Sequence, residues 1–142
     1  MPEKILIVDD EPDMLRLLTM ILRSKTPYDI TTTNNPVEAL EIAKRGGYDL
    51  VITDLKMPGL DGIELLDSVK KVDEDIPVIV MTAYGTVEYA SETLAKGGFD
   101  FITKPFRKEQ IVVTIEKALK WLKIQRENRM LRDQLKQKAS AG

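Results

Sequence analysis

Three aspartates, a threonine and a lysine stand where apolar runs of the chain stop. Asp9 and Asp10 close KILIVDD, Asp54 closes LVITD, Thr82 closes VIVMT, and Lys104 follows FIT just ahead of Pro105. Carboxylates gathered in one place repel, and each raises its neighbours' pKa unless a cation offsets them. A hard divalent ion such as Mg2+ suits that set, because it takes carboxylates, a backbone carbonyl, waters and phosphate oxygens. The chain has no histidine and no cysteine. That removes the usual zinc ligands, the commonest general base, and any thiol nucleophile or disulfide. A carboxylate beside bound Mg2+ can act as a nucleophile and become an aspartyl phosphate, with the Lys104 ammonium and the Thr82 hydroxyl each holding a phosphate oxygen. Singly, these residues have plainer explanations: an aspartate capping the next helix, a β-branched strand residue, a Lys-Pro turn. Their joint types and order are what point to a phosphate site.

The elements that must position them follow from periodicity. Strands are predicted at 4–9, 28–33, 50–54, 77–82 and 99–103. Four of these runs are apolar nearly throughout, as suits strands covered on both faces, whereas 28–33 is more polar and reads as an edge. Helical spacing fills the gaps. Leu15, Leu18 and Leu22 share a face in the first helix; Val37, Leu40 and Ala43 do so in the second, with Pro36 in its first turn. Ile63, Leu66 and Val69 follow Asp61, a candidate N-cap. A fourth helix over 86–97 has a thin apolar face (Val87, Ala90, Leu94, Ala95) and ends at Gly97-Gly98. A fifth starts near Arg107 and is predicted to run to about residue 137. Five alternations of strand and helix specify an α/β fold with a parallel sheet. In such sheets ligands bind outside the carboxyl ends of the strands, where all five candidate residues fall.

With 142 residues, 43% hydrophobic and 31% charged, the composition is that of one soluble domain with a real core. No apolar run approaches a membrane span, and MPEKILIVDD lacks a signal peptide's layout, so a cytoplasmic protein with no membrane association is expected. The net charge of −2 conceals an asymmetry: residues 1–103 carry 10 Lys/Arg against 19 Asp/Glu, and residues 104–142 carry 11 against 4. A basic tail can bind nucleic acid, but past Phe106 its only base-stacking aromatic is Trp121, so no direct DNA binding by this segment is expected.

LIVDDEP, DLKMPGLDG, VMTAYG and FITKPF, with their spacing intact over roughly residues 4–120, resemble the signature segments of response-regulator receiver domains of two-component signalling. The resemblance implies a flavodoxin-like, doubly wound, five-stranded parallel sheet in the order 2-1-3-4-5 with five helices, the last one extended here. It also implies Asp54 as the residue phosphorylated by a cognate histidine kinase. Asp9, Asp10, Asp54 and the backbone carbonyl of Lys56 would hold Mg2+. Thr82 would be the switch hydroxyl, Lys104 the phosphate-contacting lysine, and the Lys104–Pro105 peptide cis. Phe101 occupies the position of the family's rotating aromatic; without a phenol it can couple to Thr82 only by packing. Such a domain is a phospho-accepting switch that accepts and sheds a phosphoryl group, not a dedicated enzyme. An aspartyl-phosphate hydrolase using Asp9 is the alternative, against which stands Glu11 at the place where such phosphatases carry a second aspartate.

The last helix continues past the expected end of a receiver, giving a receiver over 1–120, a helical linker over 121–138 and a frayed tail over 139–142. Trp121, Ile124, Asn128, Leu131 and Leu135 are spaced 3, 4, 3 and 4 apart, the seam of a short parallel coiled coil with Asn128 fixing its register. A homodimer through this extension is expected. ENRMLRDQL also resembles the linker of NtrC-like, sigma-54-dependent transcriptional activators, where a receiver precedes an AAA+ ATPase. No P-loop occurs in the sequence, so the chain reads as a segment of a longer protein whose AAA+ domain lies downstream.

Overall fold

A computed structural model of the chain describes every residue except Met1, Leu55, Pro58, Gly59, Tyr84, Gly85, Thr86 and Gly142; the side chains at 36, 56, 57, 60, 61, 87, 89, 90 and 139–141 are also outside the description. Five parallel strands form one sheet: β1 (Lys4–Val8), β2 (Asp29–Thr33), β3 (Leu50–Asp54), β6 (Val78–Thr82) and β7 (Asp100–Thr103). Their order is β2-β1-β3-β6-β7, which is 2-1-3-4-5 when the long strands alone are counted. The polar run 28–33 is indeed an edge. Between β3 and the third helix lies a two-residue antiparallel pair that periodicity is too short to reveal, β4 (Lys56–Met57) with β5 (Leu60–Asp61).

Side chains of the strands alternate between two faces, and each face buries its own core. One holds Ile5, Ile7, Leu50, Ile52, Ile79, Met81 and Ile102 against α1 (Pro12–Lys25) and α5 (Lys108–Ala141). The other holds Leu6, Val8, Val51, Val78 and Val80 against α2 (Pro36–Arg45) and α3 (Gly62–Val72). Leu15, Leu18 and Leu22 of α1 are buried as their spacing predicts, and so are Ile63, Leu66 and Val69 of α3. No helix is long and apolar enough to cross a membrane among the described residues.

Two helix faces differ from expectation. In α2 the inward positions are Ala39 and Ala43, with Leu40 partly covered, while Val37 is exposed. Asn35 sets that phase: its Oδ1 accepts from the amides of Val37 (2.9 Å) and Glu38 (3.2 Å), which places Val37 in the capped first turn at the surface. Among the described side chains of α4 (Val87–Ala95) the buried one is Thr93, and Leu94 and Ala95 are exposed. The cause is the turn that ends the helix, where the Gly98 amide donates to the Thr93 carbonyl (2.9 Å). Val87 and Ala90 of the expected stripe, and Asp61 as an N-cap side chain, lie outside the described residues. α5 begins at Lys108 and runs without a break to Ala141, past its expected end near 137 and into the stretch expected to fray.

A Cβ at Gly98 would lie 2.6 Å from Thr93 Cγ2 and 2.8 Å from the Thr93 carbonyl oxygen. The carbonyl is backbone and already accepts the Gly98 amide, so it cannot step aside. Gly98→Ala is therefore expected to destabilise the fold by about 1–3 kcal/mol, read as a lower urea midpoint with an unchanged m-value; an unchanged midpoint would show that the α4–β7 turn relaxes freely.

Candidate functional site

The sheet reverses its winding between β1 and β3, and the crevice at their carboxyl ends is where an open α/β sheet holds its ligand. Alternation decides which side chains meet there. Asp9 continues the face of Ile5 and Ile7, Asp54 that of Leu50 and Ile52, and Lys104 that of Ile102, so three strand ends present charged groups on the α1/α5 side. Lys104 Nζ stands between the two carboxylates, 3.0 Å from Asp9 Oδ2 and 3.2 Å from Asp54 Oδ2. The lysine backbone is fixed as well: its amide donates to the Thr82 carbonyl (2.8 Å), and the Lys104–Pro105 peptide is cis, as the resemblance implies.

Asp9 is fully buried. Its Oδ1 accepts from the Glu11 amide (2.9 Å) just ahead of α1, while its Oδ2 takes the lysine. The Oδ1 bond is an Asx turn ahead of the helix, so the capping explanation of Asp9 fails. The N-cap of α1 is Glu11, which makes no side-chain cap bond. Asp54 closes β3; its carbonyl accepts from the Thr53 hydroxyl (3.0 Å), and its side chain is 13% exposed against 0% for Asp9. Of these two carboxylates, Asp54 is the more accessible.

Asp10 completes the cluster: one carboxylate oxygen from each of Asp9, Asp10 and Asp54 lies within 4.8 Å of the others. An all-oxygen set of this size fits a small, hard cation of the Mg2+ kind. Lys56 opens β4 two residues past Asp54, on the backbone path that leaves the crevice. Thr82 ends β6, buried, on the opposite parity together with Val80; Phe101 is the register partner of Val80 on β7 and is half-buried. Thr82 and Phe101 therefore share a face of adjacent strands, and packing is the available means of coupling them.

Residues 5–116 match the model of the response regulator receiver domain. The chain belongs to that family. Among its relatives is the nitrogen assimilation regulatory protein NtrX of Azorhizobium caulinodans, 41% identical over 135 residues, which cover 93% of this chain and 29% of that protein. The crystal structure of NtrX from Brucella abortus in complex with ADP superposes with a TM-score of 0.85 at 33% identity, over 97% of this chain and 33% of that one. The solution structure of the beryllofluoride-activated NtrC4 receiver domain dimer gives a TM-score of 0.78 at 32% identity, over 84% and 98%. This receiver chain spans only 26% to 29% of the length of several curated regulators that it matches.

Burial works against the Lys104 ammonium, but the hydrogen bond it donates to Asp9 and the charge of Asp54 outweigh it and hold its pKa above the ordinary 10.5. A group raised on folding gives stability that is complete below its unfolded pKa and is lost as pH climbs through the folded one. Lys104→Met leaves two facing carboxylates without a counter-charge and is expected to cost about 2–4 kcal/mol near neutral pH. Urea unfolding from about pH 8 to about pH 11.5 checks this. The gap between wild type and variant should hold until the ordinary lysine range and then narrow; a gap indifferent to pH there would mean the ammonium is not what stabilises the crevice.

Proposed function

We propose that this receiver is a phospho-accepting switch in which Asp54 takes a phosphoryl group from the phosphohistidine of a cognate histidine kinase. The observation that carries this reading is Lys104 Nζ poised between Asp9 and Asp54, a positive charge placed where the transferred group's oxygens would gather. An Asp54 carboxylate oxygen attacks phosphorus; the new O–P bond forms as the P–N bond breaks, and its electron pair stays on the imidazole nitrogen. Such a transfer asks little covalent chemistry of the protein, so positioning and charge stabilisation do most of the catalysis. Lys104 and the Thr82 hydroxyl hold phosphate oxygens. Asp9, Asp10, Asp54 and the Lys56 carbonyl would hold Mg2+, which when bound neutralises the carboxylates and the incoming phosphate oxygens. Asp9, buried with both oxygens engaged, supports Asp54 rather than itself as the nucleophile.

Phosphate on Asp54 draws Thr82 toward it and frees space beside Val80 for Phe101, so that the face made by α4, β7 and α5 repacks. The phosphoryl group biases an equilibrium between two packings by its differential stabilisation of them. The output is a downstream domain of a longer chain, of the AAA+ activator kind that works with sigma-54 polymerase. Ile124, Asn128, Leu131 and Leu135 form a seam for a second copy of this chain, with Trp121 at its root. An apolar heptad stripe interrupted by one asparagine at an a position is self-complementary in a parallel pair.

Incubation with a small phosphoryl donor such as acetyl phosphate and Mg2+ should add one phosphoryl group to the wild type, by intact mass, and none to Asp54→Ala. Thr82→Ala should be slowed at least about tenfold. Label that persists in Asp54→Ala and maps to Asp9 would favour the hydrolase chemistry instead. Separately, sedimentation of the wild type should give a dimer that Leu131→Asp converts to a monomer; one chain's mass at every concentration would rule out the seam.

A further inference from the structure

The face that α5 buries against the sheet does not end with the apolar residues. Ile111, Ile115, Ala118 and Leu122 line it, and Arg126 and Arg129, four and seven residues past Leu122, continue it where the helix leaves the sheet. Both arginines reach back. Arg126 Nη1 lies 3.0 Å from Asp49 Oδ1, in the loop before β3, and the other oxygen of Asp49 accepts from the Lys4 amide (2.8 Å). Arg129 meets Glu74 and Asp75, each at 3.0 Å, and Asp73 at 3.9 Å, in the loop before β6. Just above them the Trp121 ring packs against Phe99, which precedes β7, with centroids 5.8 Å apart. Lys70 Nζ lies 5.9 Å from the Trp121 centroid and donates to the carbonyls of Glu74 (3.0 Å) and Ile76 (2.8 Å), tying the acidic loop to α3. On the opposite side of the same turns, Ile124, Leu131 and Leu135 are 47%, 58% and 66% exposed.

We propose that Arg126 and Arg129 form an electrostatic clasp that docks the first turns of the extension onto the loops before β3 and β6, and so aims the Ile124–Asn128–Leu131–Leu135 stripe away from the body. What that stripe then binds, a second copy, rests on the dimer reading above; the clasp itself is intramolecular. The acidic body and basic tail are complementary halves of this contact, which gives the charge asymmetry of the sequence a specific use. Rotation of the helix about its axis would turn the stripe toward the body, and the clasp opposes that rotation.

Trp121 is the only tryptophan and sits at the root of the clasp, so its fluorescence reads the contact directly. The experiment compares acrylamide quenching of Trp121 in wild type and Arg126→Ala/Arg129→Ala, each repeated in the Leu131→Asp background to remove association. The double substitution should raise quenching in both backgrounds and speed amide hydrogen exchange over residues 123–131, with the receiver's own exchange unchanged. Salt near 1 M, where the screening length is about 3 Å, should bring wild-type quenching toward the variant's. Because an exposed ion pair shifts an equilibrium by up to about fivefold, the dimer dissociation constant should rise by roughly that factor or a few times more. Quenching and exchange unchanged by the double substitution would overturn the clasp. A wild type that stays monomeric would remove the dimer reading alone, because the Leu131→Asp pair still decides the clasp.

Discussion

A single ammonium shared by two buried carboxylates is the constraint around which this domain is arranged. Asp9 and Asp54 come from strands that lie side by side at the centre of the sheet, and without a counter-charge their mutual repulsion and lost hydration would push those strand ends apart. Lys104 supplies the charge from β7, two strands away from β3. Its backbone is pinned there by the amide bond to the Thr82 carbonyl. The ion pairs that stabilise the fold are thus the same ones that line the crevice. A group that binds at Asp54 must compete for, and redistribute, the lysine that holds the resting state together.

Much of this was legible in the sequence, for a reason that is local. Strand alternation is a two-residue rule, so once Ile5, Ile7 and Asp9 lie on one face, and Leu50, Ile52 and Asp54 on another strand's matching face, the carboxylates meet if the strands are neighbours. The family resemblance supplied the strand order. The helix faces were harder. Val37 fits an apolar stripe as well as Ala39 does, and only the Asn35 cap decides the phase; Leu94 outranks Thr93 in hydropathy, and only the Gly98 turn brings the threonine inward. In both helices a hydrogen bond made by the backbone at one end, to a side chain in α2 and to a carbonyl in α4, overrode the side-chain pattern. The β4–β5 pair is too short to carry any period.

The arginine contacts were illegible for a different reason. Arg126 and Asp49 are 77 residues apart, and Arg129 and Glu74 are 55 apart. No spacing rule links them, and a helix of mixed charge reads as solvated by default. The one local sign was phase: both arginines prolong the buried face of α5, while Ile124, Leu131 and Leu135 lie on the other side. A helix whose polar and apolar faces exchange roles along its length has changed what it packs against.

That exchange places the crevice and the contacts of the extension at opposite ends of the same strands. β3 begins after Asp49 and ends at Asp54; β6 begins past the acidic loop 73–75 and ends at Thr82; β7 begins after Phe99 and leads into Lys104. The extension grips the amino ends of three strands whose carboxyl ends build the crevice. Each strand is about 15 Å long and, being hydrogen-bonded and buried, shifts as a unit rather than stretching. β7 is the one at an edge, with a neighbour on one side only, and it carries the half-buried Phe101 midway between Lys104 and Phe99. An edge strand can slide or tilt without breaking a second ladder, whereas β3 is paired on both sides. Of the three strands between the crevice and the extension, β7 is therefore the one whose displacement breaks the fewest backbone hydrogen bonds, since β3 and β6 are each paired on both sides.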